Sequence, residues 1–425
     1  MKRKGYKKII LATLISVLLI GSAGAVYATQ PYVSEKLILS EETVDAISNA
    51  MSRDGKTMAW NYDFTGPSGA FPSSSQSNAT IHSGKNWSIK IKVKTLIFGN
   101  LGRSEIWAFS NDGKVAAGFS SFKKEGGAYI HATIWSERNW ENKTDLGTLR
   151  NDNAGNSIVF SLSADGKIAA GTSESATPFQ RATIWSGNNW ATKTDLGTLR
   201  NDNSGGSSVS SLSSDGKIAA GNSESDLKED VTSNFYQRPV IWAGDNWATK
   251  IDVGTLRKDN LGKAQINALS NDGKIAAGTS EIDTVTKEVY QQATIWSGEN
   301  WATKTRLGSL RSDNLGNSQV IALSADGKIA AGYSETDSKT IHAIIWSGEN
   351  WETKTDLGTF KSDNAGSSGI EALSADGTIA VGFSSTDAKG RRAVLWKIIY
   401  PAASSESGSN APNSAHIHLP MQPTQ

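Results

Sequence analysis

Aspartate is the residue type whose recurrence in this sequence could serve chemistry. Seven Asp-Gly pairs follow one another at intervals of 50 to 58 residues. Two well-placed carboxylates can cleave a glycosidic bond, but such a site lies at one place on a fold, whereas these aspartates recur in every unit. The recurrence therefore predicts turns and argues against an active site. The pairs begin at Asp54, Asp112, Asp165, Asp215, Asp272, Asp326 and Asp376.

A second acidic pattern, Asp-Asn-x-Gly, occurs in five of the segments between units. Oxygen ligands beside a glycine are typical of calcium loops, but those loops need further carboxylates and usually a distal glutamate. Aspartate and asparagine also favour tight turns by bonding their own backbone. We therefore expect turns here, with no metal and no other cofactor. The pairs are Asp152-Asn153, Asp202-Asn203, Asp259-Asn260, Asp313-Asn314 and Asp363-Asn364.

Other catalytic residue types are scarce. The chain has no cysteine, and His82, His131 and His342 show no partner spacing for a nucleophilic triad. A sialidase-like site would need a cluster of arginines to bind the substrate carboxylate. The sequence therefore predicts a protein that is not an enzyme, and a propeller glycoside hydrolase of the sialidase type remains the alternative.

The amino terminus predicts export. Basic residues precede an apolar run from Ile9 to Ile20, and small residues lead up to Ala28, which is the pattern of a secretory signal peptide over residues 1–28. Its removal leaves 38 basic and 42 acidic side chains, a net charge of −4. Such a balance argues against a nucleic-acid partner. We expect no membrane-spanning segment after cleavage, and a secreted or outer-surface protein, with the periplasm as the alternative.

The elements within a unit are clearest in the fourth. Strands are predicted at Val209 to Ser213, Lys217 to Ser223, Pro239 to Trp242 and Asp252 to Leu256, with a type I′ turn at the Asp-Gly pair. Four strands per unit and seven units predict an all-β, seven-bladed β-propeller. Six blades plus a cap, or a β-solenoid, are the alternatives.

The two ends of the chain predict how the ring closes. The last unit lacks its fourth strand, and Leu37 to Leu39 lies before the first unit at a spacing close to that of Leu196 in a regular unit. An amino-terminal strand that completed the last blade would remove an exposed sheet edge. We expect the propeller to span residues 29–400 and a disordered Ser- and Pro-rich tail to span 401–425. The first unit is atypical, with Trp60 at the strand glycine and His82 at the strand tryptophan.

Tryptophan also recurs once per unit, in two series. The first is expected to fill the space between blades, and the second to lie partly buried in the linker between the third and fourth strands. The first series is Trp135, Trp185, Trp242, Trp296, Trp346 and Trp396, and the second is Trp87, Trp140, Trp190, Trp247, Trp301 and Trp351.

Three motifs recur in a fixed order through most of residues 100–396. They are IHATIW at Ile130 to Trp135 and IHAIIW at Ile341 to Trp346, DLGTL at Asp145 to Leu149 and Asp195 to Leu199, and LSADGKIAAG at Leu162 to Gly171. This pattern resembles the bacterial extracellular HAF repeat, although most units replace the histidine, as at Arg181, Arg238 and Gln292. The resemblance implies a secreted or surface-exposed bacterial protein, often the passenger of an autotransporter, with no established enzymatic activity.

Loop length predicts the binding surface. The connections between second and third strands vary most in length, and a rigid scaffold commonly presents its recognition residues on such loops. We expect a non-catalytic binding module, of an adhesin or autotransporter-passenger kind, that contacts an extracellular protein or glycan. The candidate residues are Tyr62, Phe64, Phe71, Asp226, Lys228, Phe235, Tyr236 and Tyr290.

Overall fold

The computed structural model describes residues 30–39, 46–62, 78–100, 102–125, 127–177, 179–228, 235–284, 288–388 and 390–401. Within these ranges, 28 strands form seven four-stranded antiparallel sheets arranged as the blades of a β-propeller. The predicted fold class is confirmed, and the alternatives of six blades plus a cap and of a solenoid are wrong. The signal peptide predicted for residues 1–28 and the predicted tail beyond Pro401 lie outside the described residues.

The strands repeat in the same order in every blade. In chain order they are β1 (Tyr32–Ile38), β2 (Ala46–Met51), β3 (Met58–Tyr62), β4 (Thr80–Ser83), β5 (Ile89–Lys92), β6 (Ser104–Phe109), β7 (Ala116–Lys124), β8 (Gly127–Ser136), β9 (Asn142–Asp145), β10 (Ser157–Leu162), β11 (Ala169–Glu174), β12 (Gln180–Ser186), β13 (Thr192–Asp195), β14 (Ser207–Leu212), β15 (Ala219–Lys228), β16 (Phe235–Ala243), β17 (Thr249–Asp252), β18 (Ala264–Leu269), β19 (Ala276–Glu281), β20 (Gln291–Ser297), β21 (Thr303–Gly308), β22 (Ser318–Leu323), β23 (Ala330–Glu335), β24 (Ile341–Ser347), β25 (Thr353–Gly358), β26 (Ser368–Leu373), β27 (Ile379–Ser385) and β28 (Arg391–Ile399). Blades 1 to 6 take β2 to β25 in consecutive fours, and blade 7 combines β26 to β28 with β1.

The first strand of each blade is the innermost. These first strands contact one another around the whole ring, so they surround the axis, and the fourth strands form the outer edges. Short 3₁₀ helices precede the fourth strands in blades 1 to 6, and one more lies between blades 1 and 2. They are Lys85–Trp87, Arg138–Trp140, Asn188–Trp190, Asp245–Trp247, Glu299–Trp301 and Glu349–Trp351, with Phe98–Asn100 in the connection.

The Asp-Gly pairs form the hairpin turns between first and second strands, as predicted, but not as type I′ turns. In blade 4 the Gly216 N–H donates to the Ser213 carbonyl, and Ser213 Oγ donates to Asp215 Oδ1 at 2.7 Å. Gly216 has a φ of +71°, whereas neither Ser214 nor Asp215 is among the residues with positive φ. A type I′ turn needs positive φ at both central residues. The serine–aspartate bond instead stabilises a turn that needs positive φ only at the glycine.

The fourth strand begins earlier than the sequence predicts. In blade 4 it covers Thr249–Asp252, not Asp252 to Leu256. Beyond Asp252 the chain turns, because Gly254 has a φ of +75° and its N–H donates to Asp252 Oδ1 at 2.9 Å. The connections between blades therefore begin with the DLGTL segments, as after Asp145 and Asp195.

The amino-terminal strand completes blade 7, as the sequence predicts. β1 pairs antiparallel with β28 over its whole length. The expected equivalence of Leu37 to Leu196 is wrong by two positions, since Leu39 makes the backbone bond to the third strand that Leu196 makes in blade 3. The strand also reaches the neighbouring blade, because Lys36 Nζ donates to the Thr359 carbonyl of blade 6 at 3.0 Å.

Indole rings fill the space between blades. Trp242 is fully buried and packs with Ala170, Ile184 and Leu196 of blade 3. All six members of this series are 0% exposed, so their predicted burial is confirmed. The second series lies against the hairpin turns, where each indole N–H donates to the turn glycine carbonyl of its own blade. The pairs are Trp87–Gly55, Trp140–Gly113, Trp190–Gly166, Trp247–Gly216, Trp301–Gly273 and Trp351–Gly327, and the Tyr400 hydroxyl takes this place at Gly377.

Blade 1 is a complete blade despite its unusual sequence. In the other blades a second-strand glycine faces the bulge of the first strand, and a Cβ at Gly171 would lie 2.0 Å from the Ile158 carbonyl oxygen. Blade 1 has Trp60 at this position and His82 at the tryptophan position, and the two rings stack with centroids 3.5 Å apart. Trp60 also packs with Val381 and Leu395 of blade 7, and the first strand of blade 1 keeps its bulge without the glycine.

Backbone hydrogen bonds also join the blades at the Asp-Gly turns. The residue after each turn serine donates its N–H to the same residue of the next blade, as from Ala164 to Ser214 at 2.8 Å. Six such bonds run from blade 2 around the ring to blade 1. Among the described residues, the seventh bond, from Arg53 to Asn111, is not formed. The boundary between blades 1 and 2 thus departs from the repeat.

Candidate ligand-binding face

The propeller has two chemically different faces. The loop face consists of the connections between second and third strands and those between blades, and the turn face consists of the Asp-Gly turns and the 3₁₀ helices. The loop face is uneven, because β7 and β8 in blade 2 and β15 and β16 in blade 4 extend beyond their equivalents. No helix in the described ranges has the length and apolarity that crossing a membrane requires.

Four of the predicted site residues lie together on the extended blade-4 hairpin. Phe235 pairs with Lys228 across the hairpin and packs under Arg200, whose guanidinium carbon is 3.7 Å from the ring centroid. Asp226 Oδ2 accepts the Asn201 N–H at 3.0 Å. Tyr236 follows Phe235 on the same strand and is partly exposed. This cluster combines an aromatic ring with charges of both signs.

The remaining predicted residues are not part of this cluster. Tyr290 belongs to blade 5, where its hydroxyl donates to Glu288, and that bond together with partial burial raises the pKa of the tyrosine. Tyr62 ends β3 of blade 1, and its side chain lies outside the described part of the structure, as do Phe64 and Phe71. The structure therefore brings together four of the eight candidates.

Asp226 has a structural partner that recurs around the ring. The same contact, from an aspartate after the second strand to a backbone N–H of the preceding connection, is formed by Asp283, Asp337 and Asp387. Because the same contact occurs in four blades, we assign this carboxylate a structural role in holding the connection. The residues that distinguish blade 4 are Phe235, Lys228 and the length of the hairpin.

The sequence analysis missed an aromatic series on the loop face. Aromatic residues stand six positions before the buried tryptophan in four consecutive blades, at Tyr129, Phe179, Tyr236 and Tyr290. Phe179 is 38% exposed and Val289, beside Tyr290, is 63% exposed. Phe98, in the connection between blades 1 and 2, is 99% exposed. The signal was present in the repeat, and aligning the units on the third-strand tryptophan would have found it.

An arginine and an aspartate form an ion pair in each of four connections between blades, on the same face as these aromatic residues. In the connection after blade 2, Arg150 donates to both oxygens of Asp152 at 2.9 and 2.7 Å. That guanidinium and then the Ala154 N–H hold the pKa of Asp152 well below its usual range. Arg200, Arg257 and Arg311 repeat the pair with Asp202, Asp259 and Asp313. The Asp-Asn-x-Gly aspartates are therefore occupied in turns, and the described residues contain no cluster of three or more potential metal-binding side chains.

Two histidines have carboxylate partners that the sequence analysis did not find. His131 Nδ1 lies 2.9 Å from Asp145, and His342 Nδ1 lies 3.0 Å from Asp356. Blades 3 and 4 place Arg181 with Asp195 and Arg238 with Asp252 at the same positions. Because arginine replaces histidine in this contact, the contact serves the blade, and both histidine side chains are buried.

Comparison with known proteins finds similarity only to solved structures. No protein-family model matches the chain, and no curated protein matches it. Similar solved structures include the β-propeller domain of the Trilobed protease from Pyrococcus furiosus, with 11% identity, 83% of this chain and 96% of that chain covered, and a TM-score of 0.49. TolB from Acinetobacter baumannii has 13% identity, 82% and 67% coverage, and a TM-score of 0.42. Prolyl oligopeptidase B from Galerina marginata has 12% identity, 81% and 47% coverage, and a TM-score of 0.47. These similarities assign no role to the chain.

Proposed function

We propose that the protein is a non-catalytic, secreted or surface-exposed bacterial binding protein that recognises an extracellular protein or glycan through its loop face. The observation that carries this proposal is the aromatic series of blades 2 to 5, set among exposed apolar residues. Of the eight described large apolar side chains that are at least 38% exposed, Phe98, Phe179, Leu227 and Val289 belong to this face. Exposed aromatic and apolar groups beside charges are typical of recognition surfaces.

The location in this proposal comes from the amino terminus and from the repeat. The basic and apolar leader supports export, and the resemblance to the HAF repeat supports a surface role in a bacterium. A net charge of −4 after removal of residues 1–28 agrees with a partner that is neither nucleic acid nor an anionic membrane.

A sialidase-like hydrolase is the weaker candidate. Its substrate carboxylate would require several arginines in one place. Here Arg150, Arg200, Arg257 and Arg311 occur once per blade, and each is engaged by the aspartate two residues later. The arrangement supports recognition better than it supports bond cleavage.

The test combines a binding screen with a matched pair of variants. Purified protein is applied to an array of glycans and matrix proteins, with glycosidase and sialidase assays in parallel, and the best ligand is titrated. Tyr236→Ala with Tyr290→Ala should weaken its binding about tenfold or more, the usual range for aromatic contacts at an interface. Thr340→Ala, at the same repeat position in blade 6, is the control and should leave affinity unchanged. Turnover of any glycan, or full affinity in the double variant, would contradict the proposal.

A further inference from the structure

The boundary between blades 1 and 2 has a groove on the turn face. The groove has a volume of about 500 Å³ and is lined by Thr57, Ile89 and Ile91 of blade 1 and by Val115, Glu137 and Trp140 of blade 2. This volume falls within the range of ligand-binding pockets. The groove lies on the face opposite the aromatic series, so it is independent of the function proposed above.

The groove exists because two residues of blade 1 depart from the repeat. Three residues after each turn aspartate, the other blades carry valine or isoleucine, which fills the space beneath the next turn, as Ile168 does below Gly216. Blade 1 has the smaller Thr57 here. At the start of the fourth strand, most blades carry threonine, whereas blade 1 carries Ile89, which is 51% exposed. One change removes filling volume and the other adds exposed apolar surface.

The opposite wall holds a strained residue. Glu137 has φ +65° and ψ −172°, a conformation that is essentially restricted to glycine. The residue at this position is glycine in every other blade that has the 3₁₀ helix, at Gly84, Gly187, Gly244, Gly298 and Gly348. Backbone strain of this kind clusters at ligand-binding sites, where a side chain is needed despite its cost in stability. The replacement of glycine by glutamate therefore points to a use for the carboxylate.

Four charged side chains line the groove, two acidic and two basic, and they are Asp112, Glu137, Lys114 and Arg138. Asp112 is already engaged by Lys114 at 2.9 Å and by Ser110 at 2.8 Å. Glu137 is exposed, and among the described residues no ion pair to its carboxylate is formed. Arg138 follows it, at a position where other blades carry lysine, asparagine, aspartate or glutamate without a positive φ. Of these four side chains, Glu137 is the one that stands where the repeat otherwise has glycine, so we assign the selection of the ligand's charge to its carboxylate.

We propose that this groove binds a peptide segment in which an apolar side chain lies next to a lysine or arginine. The apolar side chain enters between Ile89 and Trp140, and the basic side chain pairs with Glu137. Apolar burial supplies most of the affinity, and the charge pair selects the ligand. The missing backbone bond between Arg53 and Asn111 lies at the same boundary.

The proposal is tested with an arrayed library of hexapeptides and then with fluorescence polarisation of the best binder. The array should enrich leucine, phenylalanine or tryptophan beside a basic residue. Glu137→Gly should weaken the selected peptide at least tenfold and at the same time raise Tm, because glycine relieves the strain. Thr57→Ile should also weaken binding, by filling the groove.

Two controls separate the contribution of Glu137 from general effects. Glu299→Ala, in the equivalent turn of blade 5, should change neither affinity nor Tm, and Arg138→Ala should bind the basic peptide at least as tightly as the unaltered protein. Absence of any retained peptide, enrichment of acidic residues, undiminished affinity in Glu137→Gly, or a lower Tm in that variant would each overturn the proposal.

Discussion

At the scale of residues, the repeat separates scaffold positions from candidate functional ones. A side chain that recurs in the same contact serves the blade, as the serine and aspartate of every Asp-Gly turn do. A side chain that breaks the repeat needs another explanation. Glu137 and Phe235 break the repeat in this way. Asp226, in contrast, makes a contact that recurs in other blades, so it is a scaffold residue.

The first-series tryptophans provide the residue-scale prediction. Trp242 is 0% exposed and lies between blades 3 and 4. Trp242→Ala should lower the free energy of unfolding by about 3 to 5 kcal/mol, the usual cost of truncating a large buried aromatic side chain. Chemical denaturation of the variant and of the unaltered protein measures the difference. Trp247→Phe is a milder comparison, since it keeps an aromatic ring while removing part of the indole and its bond to Gly216. A Trp242→Ala variant of normal stability would show that the cavity is refilled.

At the scale of elements, much of the fold could be predicted because turn chemistry and apolar runs recur together. The period of the Asp-Gly pairs and the count of strands were sufficient for seven blades. The start of the fourth strand was predicted too late, because the apolar residues of the DLGTL segment outweighed its aspartate and glycine, which are depleted in strands. The positive φ of Gly254 turns the chain there. The predicted turn type was wrong because the turn is held by a serine hydroxyl. Ser213 Oγ donates to Asp215 and accepts the Ile218 N–H.

The candidate site was less predictable than the fold. Loop length pointed to the loop face and to Phe235, but it could not show which aspartates were already engaged in turns. Phe179 lies in a loop of ordinary length, and the extended blade-2 hairpin that carries Tyr129 was not among the loops that the sequence analysis singled out, so both residues were passed over. The groove at Thr57 lies between two blades, and its size depends on how the side chains of both blades pack. The sequence of a single unit does not show that packing.

The closing strand provides the element-scale prediction. β1 covers the outer edge of β28, and Leu37 packs against the cluster of Met58, Trp60 and Leu395. Deletion of Leu37 to Leu39 should lower Tm of the whole propeller, because it shortens the closing strand and exposes a sheet edge. Differential scanning calorimetry measures the change. Ser34→Ala, which alters the exposed part of the same strand, should have little effect. An unchanged Tm after the deletion would mean that the ring is held by contacts between blades without the closing strand.

At the scale of the whole molecule, two buried groups on either side of the blade 7 to blade 1 boundary titrate in opposite senses. Burial raises the pKa of Glu371, on β26, to about 7, with Arg391 as the opposing influence. Burial, and then the nearby Lys90, lower the pKa of His82, on β4, to about 4 against a hydrogen bond with the Trp87 backbone. The native state therefore favours the uncharged form of both side chains.

The two titrations oppose each other in their effect on stability. The native state holds the Glu371 proton above the ordinary pKa of 4.5, so Glu371 destabilises the fold as pH rises from 4.5 towards 7. The native state excludes the His82 proton below the ordinary pKa of 6.5, so His82 destabilises the fold as pH falls from 6.5 towards 4. Each effect amounts to about 3 kcal/mol at most, and the contribution of Glu371 is smaller because water partly reaches its carboxylate.

These opposing slopes give the last prediction. Between pH 4.5 and 6.5 the unaltered protein should change little in stability, because the gain from Glu371 on acidification offsets the loss from His82. Glu371→Gln removes the first titration, so the variant should lose about 2 to 3 kcal/mol over the same fall in pH, and it should be the more stable protein above pH 7. Urea unfolding at pH 4.5, 5.5, 6.5 and 8 measures both curves, and the exposed Glu349→Gln is the control. Parallel curves for Glu371→Gln and the unaltered protein would show that folding does not raise the pKa of Glu371, and that the closing blade contains a buried charge at neutral pH.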